Sequence, residues 1–586
     1  MKIEPLGDRI WHKKYPANVS RSLDYPDYTL SDLLREAAKR KGDGLAISFL
    51  DASVTYNQLW DMVRRMARGL TDLGLVKGDV CALMLPNSIQ FVVSYYACHL
   101  IGVTITAINP TYKSAEVRYQ LKNSGAKAII ILDAVYWEAS EGIKASGVSI
   151  VIGTNVVDLC GFPWWKVFLG KLLRKIPTAK MPHGTLKFTD LIRSDPDPPD
   201  VKIDPDDVAV LQYTGGTTGL PKGAMLTHRN MVSNAAQCDA WLWKKDENTG
   251  IIGVLPLFHA FAMTVVMNLS VRIAGFQLLF PRPPADLSEL FTKIEEYTGK
   301  AGLIMPGVAL LFNKMNNHPK VRQYDLSSLT MAVSGAGPLP LEVQNRFEAF
   351  TGSVIIEGYG LSEASPVTHG NPIYGARKLG TIGLPFSDTD IKIMDKETGT
   401  RELPRLPFSV AETGGMTQRQ AEEAEPYTGE LVIKGPQVMK GYLNRPEETA
   451  TAIRDGWLYT GDIACIDAEG YTIIRDRIKD MIKGKGYAVF PAEVEEFLYQ
   501  NPNIRNVAVI GVYDEKEGEA VKAFIELHPD KKGKVSAEEI KKWAKEHMAY
   551  YKVPSQIEFR DELPTTMVGK VLRRVLREEE KAKRKS

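Results

Sequence analysis

The sequence lacks most of the features that assign a chain to a class at first sight. Cysteine is scarce: Cys81, Cys98, Cys160, Cys238 and Cys465 are the only five in 586 residues. Their number is odd, their spacing is wide and no Cys-x-x-Cys pair occurs, which argues against a disulfide framework or a cysteine-built zinc site. A reducing, cytoplasmic setting is expected. No His-Glu-x-x-His occurs among the nine histidines, so zinc hydrolysis has no ligand set. An excess of one charge is also missing. The 73 Lys and Arg nearly balance the 71 Asp and Glu, and nothing global attracts nucleic acid. The N-terminal stretch MKIEPLGDRIWHKKYP has scattered charges and no apolar centre, so it does not read as a signal peptide.

Long hydrophobic runs are missing with one exception. Residues 248–271 contain no Asp, Glu, Lys or Arg, and about 20 apolar residues suffice to cross a bilayer. Pro256, His259 and Asn268 interrupt the run, and a buried core segment is the expected reading. The rival is a transport or acyl-binding protein anchored by this run.

What is present is the composition of a large globular protein, 44% hydrophobic and 25% charged, able to bury several cores. Over the first four-fifths, apolar strand-like runs (128–132, 208–212, 303–305) alternate with amphipathic stretches such as 56–73, where Leu59, Met62, Val63, Met66, Ala67 and Leu70 recur at helical spacing. Such alternation predicts an α/β fold with helix-covered sheets. Residues 196–207 read as a Pro/Asp-rich linker, and 396–425 as a polar surface excursion. After Asp476 the texture changes. A helix at 492–499, strands at 507–512 and 521–527, a helix at 537–547 and a strand at 556–559 predict a small α+β domain of about 100 residues.

The strongest chemical signal is Tyr213-Thr-Gly-Gly-Thr-Thr-Gly-Leu-Pro-Lys-Gly223. Glycines let backbone N–H groups approach an anion, and hydroxyls add donors. Thr214, Gly215, Gly216, Thr217, Thr218 and Gly219 have this composition, and Lys222 adds a mobile charge. The order is not that of a Walker A loop. A plain hairpin turn is the alternative, disfavoured because hairpin connections usually need two to about five residues.

This loop resembles the signature loop of the adenylate-forming superfamily of acyl-CoA synthetases, peptide-synthetase adenylation domains and beetle luciferases. The resemblance runs through the chain in order: Leu255-Pro-Leu-Phe-His-Ala260, Ser334-Gly-Ala-Gly-Pro-Leu339, Gly358-Tyr-Gly-Leu-Ser-Glu363, Tyr459-Thr-Gly-Asp462, Arg477-Ile-Lys-Asp-Met-Ile-Lys-Gly-Lys-Gly-Tyr487 and Pro564-Thr-Thr-Met-Val-Gly-Lys570. It implies a large N-terminal domain of layered α/β sheets with a small β-barrel-like part (1–478), followed by a small mobile α+β domain (479–586). It also implies ATP and coenzyme A as substrates with Mg²⁺, and a carboxylic acid joined to CoA through an acyl-adenylate.

By the same resemblance, Lys570 bridges the acid and the α-phosphate, where charge develops. Glu363 holds Mg²⁺ with Thr214 nearby, since hard cations take oxygen ligands. Ser334, Gly335, Ala336, Gly358, Tyr359, Gly360, Leu361 and Ser362 line the adenine site, with Tyr359 stacked on the base. Asp462 and Arg477 hold the ribose, and His259 lines the acid site. Lys479 is the hinge about which the C-terminal domain turns, bringing Lys483, Gly484, Lys485, Gly486 and Tyr487 to the CoA thiol's path. Taken singly, most of these residues would read as surface lysines, core aromatics or a core histidine. Three departures stand out: glycine where the family loop usually has Ser or Thr at 215 or 216, Gly-Ala-Gly at 335–337 for the commoner Gly-Gly-Ala, and Met567-Val568 where a polar residue is common. The acid is expected to be a medium- to long-chain fatty acid. The alternatives are a benzoate- or cinnamate-like acid, or a carrier-protein thiol as acceptor.

One further segment lies outside these motifs. In 162–176, Trp165, Phe168, Leu169, Leu172, Leu173 and Ile176 fall on one helical face and Lys166, Lys171, Arg174 and Lys175 on the other, with Val167 out of place. An interfacial helix on anionic lipid and an ordinary docked helix are equally compatible with that pattern. Peripheral contact at the inner membrane face is the corresponding expectation.

Overall fold

The helix predicted from residue 56 forms at Tyr56–Asp72, and its start is fixed by a capping box in which Thr55 and Gln58 exchange side chain-to-backbone hydrogen bonds. Leu59, Val63, Met66, Ala67 and Leu70 are fully buried on its inner face, while Met62 is only half-buried. The structure is a computed structural model that describes residues 9–585, apart from 174, 215–219, 243–247, 413–414, 478–479, 485–486, 515–517, 549 and 567–570.

Two large sheets share one continuous core. The first has eight strands, in the order 441–442, 222–227, 208–214, 104–107, 80–84, 126–132, 150–154 and 186–187. The second has nine, in the order 384–385, 367–370, 354–360, 329–334, 303–307, 250–253, 276–279, 45–49 and 52–55. Most neighbours in both are parallel. Helices Leu30–Lys41, Tyr56–Asp72 and Ile89–Leu100 pack on one another, and the last is buried on nearly all sides, as its apolar sequence requires.

The charge-free run is folded into this core. It supplies strand Gly250–Gly253 and then a helix broken by a π-turn at Met263–Asn268, and it is buried except for exposed Asn248 and half-buried Phe258 and His259. No helix among the described residues is long and apolar enough to cross a membrane.

A third sheet pairs strands 390–394, 429–434, 457–466 and 453–454, with 472–477 alongside 457–466. This small antiparallel sheet stands where the resemblance implies a barrel-like part, and among the described residues its strands form an open sheet rather than a closed barrel. The polar stretch 396–425 is also less of an excursion than its sequence suggests. Leu406 and Val410 are buried against Cys465 and Ile473, covering one face of this sheet. Residues 196–207 contain no helix or strand, as expected of a linker.

The last sheet starts at Ile482 and contains the elements predicted after Asp476. Its long hairpin, Ile504–Asp514 with Gly518–Leu527, extends beyond the predicted strands, and helices Pro491–Tyr499 and Ala537–His547 pack on it. A buried ionic cluster sits beside the junction. Arg573 pairs with Glu495 at 2.6 Å, Asp480 at 3.2 Å and Asp476 at 3.4 Å, and Asp476 also accepts the Ala492 backbone N–H at 2.9 Å. Asp476 precedes residues 478–479 and the others follow them, so the two bonds of Asp476, to Arg573 and Ala492, span that point of the chain.

All five cysteines are buried and unpaired. Burial pushes the Cys238 thiol up to about 12 and that of Cys465 to about 11.

Candidate active site

The carboxyl ends of parallel strands are where α/β sheets hold ligands, and the motif residues collect there. Ser334 ends strand Leu329–Ser334, and Gly358, Tyr359 and Gly360 end the adjacent Val354–Gly360. Ser334 is fully buried, and its hydroxyl has no partner among the described residues. Gly360 must be glycine, since a Cβ there would lie 2.0 Å from the Pro366 carbonyl oxygen. Ala336 stands in left-handed backbone at φ 64°, where the commoner family order places glycine. That conformation costs an L-residue about 1–2 kcal/mol, of which the unfolded-state freedom of glycine cancels about half. An Ala336→Gly variant is expected to gain up to about 1 kcal/mol, read as a higher thermal midpoint with ATP binding retained.

The Gly/Thr loop crowns a β-hairpin after all. Strands Val208–Thr214 and Lys222–Thr227 are antiparallel, with Thr214 directly opposite Lys222. The connection is longer than an ordinary turn, and its residues Gly215, Gly216, Thr217, Thr218 and Gly219 lie outside the described ones. The two strand ends meet Glu363: the Thr214 hydroxyl donates to its carboxylate at 3.5 Å and the Tyr442 hydroxyl at 2.9 Å. Lys222 Nζ lies 5.1 Å from the centre of the Tyr442 ring. Burial and the Glu363 charge push the Tyr442 phenol far above its usual value, so it stays a donor.

Tyr442 is a residue that the motif reading missed. Its short strand, Gly441–Tyr442, pairs with 224–225 of the hairpin, and the segment is stitched on both sides. Leu443 N–H donates to Gly223 O at 2.8 Å, Lys440 N–H to Met225 O at 2.9 Å and Met439 N–H to Glu363 O at 2.8 Å. Nothing in a Gly-Tyr dipeptide distinguishes it from any edge strand.

A second group gathers on the third sheet. Asp462 faces Arg477 across the antiparallel pair Trp457–Ile466 and Thr472–Arg477, and Arg477 Nε lies 3.0 Å from its carboxylate. The Tyr359 hydroxyl donates to the other oxygen at 2.5 Å. Asp462 is almost wholly buried, whereas the Arg477 side chain is about half exposed. The Asp462 charge, before all else, holds the Arg477 guanidinium protonated, and Glu363 adds to the effect, which links the two groups. His369 lies edge-on to Tyr359 at 5.7 Å and burial lowers it to about 3, so a neutral ring supports the tyrosine.

His259 stands at the start of the broken helix, accepting the Phe261 N–H at 3.3 Å. The loop before it is clamped by buried Asn87, which donates to Gly253 O and Leu255 O and accepts from Leu257 N–H. The Phe261 ring abuts Gly335, where a Cβ would come within 2.8 Å. The histidine segment therefore adjoins the 334–336 segment. Leu361 and Ser362 lie between Gly360 and Glu363, half-buried. Lys479, Lys485, Gly486 and Lys570 lie outside the described residues. Lys483 and Gly484 fall in strand Ile482–Gly484 and Tyr487 in its antiparallel partner Tyr487–Val489.

A carboxylate with an adjoining hydroxyl and lysine, set beside a second carboxylate with an arginine and an aromatic ring, is a site arranged for a nucleotide. The family models agree. Residues 34–443 match the model for AMP-binding enzymes and 493–570 that for their C-terminal domain. The chain belongs to the AMP-binding enzyme family. It is 41% identical to a long-chain-fatty-acid–CoA ligase of Bacillus subtilis (strain 168), over 98% of each chain. It is 35% identical to a ligase of the same name from Escherichia coli O6:H1, over 98% of this chain and 99% of that one. Among solved structures, the anthranilate CoA ligase AuaEII in complex with anthranoyl-AMP shares the fold at a TM-score of 0.82 and 24% identity, covering 96% of this chain and 98% of that one.

Proposed function

We propose that the chain joins a fatty acid of medium to long chain to coenzyme A through an acyl-adenylate, releasing AMP and pyrophosphate. The observation that carries this reading is the pair of groups on Glu363 and Asp462, in a chain that resembles long-chain-fatty-acid–CoA ligases along almost its whole length. ATP lies across both. Asp462 accepts the ribose hydroxyls, Arg477 steadies that carboxylate, and Tyr359 backs the base beside Ser334, Gly335 and Ala336. Thr214, Lys222 and the loop between them take the phosphates. Glu363 and the Thr214 hydroxyl offer Mg²⁺ two hard oxygen donors, which fits an ion that leaves its other positions to water and phosphate. When bound, the ion neutralises phosphate charge. His259 lines the acid site, and Lys570 stabilises the charge that develops as the acid attacks the α-phosphate.

Residues 1–478 form the adenylation domain and 479–586 the mobile domain. Rotation at Lys479 then exchanges Lys570 for the Lys483–Tyr487 hairpin, which guides the CoA thiol to the adenylate. The acid is met at an anionic membrane face on the cytoplasmic side, through residues 162–176.

The test is CoA-dependent formation of AMP and pyrophosphate from ATP across acids from acetate to oleate, with benzoate and coumarate included. A maximum among aliphatic acids is the expected result. Turnover confined to aryl acids would move the assignment to an aryl-acid ligase, and adenylate without CoA transfer would point to a carrier-protein thiol.

Tyr442 positions Glu363 in this scheme. A hydrogen bond to a charged group is worth about 1.5–3 kcal/mol, so Tyr442→Phe is expected to weaken the apparent affinity for Mg·ATP by roughly tenfold or more. Transfer from a preformed acyl-adenylate to CoA, which needs no metal-nucleotide, should run at the parental rate. Equal loss in both half-reactions would show a general packing defect instead.

A further inference from the structure

Helix Trp164–Leu172 buries none of its side chains. Trp164 is 80% exposed, Trp165 49%, Phe168 61%, Leu169 43%, Leu172 66% and Leu173 61%. Half of the strongly exposed large hydrophobic residues in the described part of the chain therefore sit on ten consecutive positions. Scattered apolar side chains on a surface are ordinary, whereas a contiguous cluster of this size marks an interaction site.

The arrangement is directional. At about 100° per residue, these side chains sweep an arc of roughly half the helix. Val167 and Gly170 occupy the opposite side, and both are half-buried against the protein. Val167, the residue that spoils the simple two-face pattern in the sequence, is thus the inward contact. Lys171 flanks one edge of the apolar arc and Lys166 the other. Ile176, which the sequence pattern places on the apolar face, instead folds back on the helix: its N–H donates to Gly170 O at 3.0 Å, and its side chain fills the space over Gly170. The helix ends before Ile176 can take part in its wheel.

The stretch itself carries a single sign, although Lys166 Nζ also lies 3.9 Å from Asp51 of a neighbouring turn. No Asp or Glu occurs from residue 159 to residue 189, whereas Lys166, Lys171, Arg174, Lys175, Lys180 and Lys187 do. Arg174 lies outside the described residues. Exposed Trp137, on the neighbouring helix Asp133–Lys144, donates its indole N–H to Lys180 O at 3.1 Å, so another interfacial aromatic stands by the same segment. Tryptophan and phenylalanine outward, with lysines at the rim that outnumber the one nearby carboxylate, Asp51, fit a phospholipid surface that is apolar below and negative above.

We infer that residues 162–176 are an interfacial anchor that lays the protein on anionic bilayers, with Trp164, Trp165, Phe168 and Leu172 entering the acyl region and Lys166, Lys171 and Lys175 at the phosphates. Lysines near an anionic surface add an attraction that salt screens, so binding depends on both lipid charge and salt. The anchor rests on the fatty-acid reading only for its purpose, because a long acyl chain partitions into the same bilayer.

The test uses the full chain with two kinds of vesicle, phosphatidylcholine alone and phosphatidylcholine with about one-third phosphatidylglycerol. Co-flotation with the anionic vesicles at low salt is expected, with weak recovery on neutral vesicles or at high salt. Replacing Trp164, Trp165 and Phe168 by serine should reduce anionic-vesicle binding at least tenfold, and so should Lys166→Glu with Lys171→Glu and Lys175→Glu. Both variants should activate octanoate in solution at the parental rate, while the relative rate with vesicle-borne oleate falls. Parental binding by the serine variant overturns the anchor, as does absence of binding by the parent. Parental self-association that the serine variant abolishes, with no vesicle binding, assigns the face to a second copy and also overturns it. A chain that floats with vesicles but activates no acid would refute the ligase reading and leave the anchor intact.

Discussion

A Lys570→Ala chain is expected to form acyl-adenylate about 10²–10³-fold more slowly than the parent, yet to pass a preformed acyl-adenylate to CoA at nearly the parental rate. The asymmetry follows from where charge develops. Attack of one anion on another builds negative charge on the α-phosphate oxygens, and a cation there acts on that step alone. In the proposed scheme, thiol attack on the adenylate takes place after the rotation and without this lysine. Residues on both sides of the lysine segment are well fastened. Thr565 pairs with Val571, Leu572 N–H donates to Pro564 O at 2.8 Å, and Arg573 is locked into the carboxylates Glu495, Asp480 and Asp476. The contacts of Asp476 with Arg573 and with Ala492 cross the proposed hinge, so turning the domain has to exchange them. Rapid-quench assays of each half-reaction are the measurement. Equal losses in both would remove Lys570 from the chemistry and make it a structural residue.

Asp462→Asn is expected to raise the KM for ATP about 10²-fold while leaving the KM values for acid and CoA within a factor of about two. The carboxylate meets the Tyr359 hydroxyl with one oxygen and Arg477 with the other. In the proposed scheme its two oxygens accept from two adjacent ribose hydroxyls once those partners shift. An amide keeps the shape, loses the charge that holds Arg477 and turns one acceptor into a donor facing donors. Each mismatched hydrogen bond to a charged group costs about 1.5–3 kcal/mol, and tenfold corresponds to about 1.4 kcal/mol, so two such losses reach the stated size. Initial rates with each substrate varied in turn decide it. An unchanged KM for ATP would move the ribose site elsewhere.

Much of this architecture was legible in the sequence because local and tertiary demands agree. Leu59, Val63, Met66 and Leu70 recur at helical spacing and are all buried, and the capping residues Thr55 and Gln58 mark the start. The motif residues were legible for another reason. Gly360 tolerates no side chain, and the Asp462–Arg477 pair follows from strand register, so few sequences satisfy these places. Tyr442 was not legible, because its role comes from a chain reversal that brings residue 442 to residue 363, and no local pattern encodes that distance. The same holds for Arg573, whose carboxylates lie about 80–100 positions away. The left-handed backbone of Ala336 was hidden as well, since alanine carries no signal for positive φ. The open form of the third sheet depends on how its edges pair, which strand sequences do not specify.

The burial of all five cysteines bears on the enzyme's own safety. An acyl-adenylate is an electrophile that any exposed thiolate would intercept, and a protein making it in quantity is a target for its own product. Here no cysteine is exposed, and burial keeps the thiols of Cys238 and Cys465 protonated at physiological pH. The acceptor thiol is therefore always the one that diffuses in. A thiol-titrating dye added to native protein should develop almost no colour, so disappearance of free CoA can be followed directly in the presence of abundant enzyme.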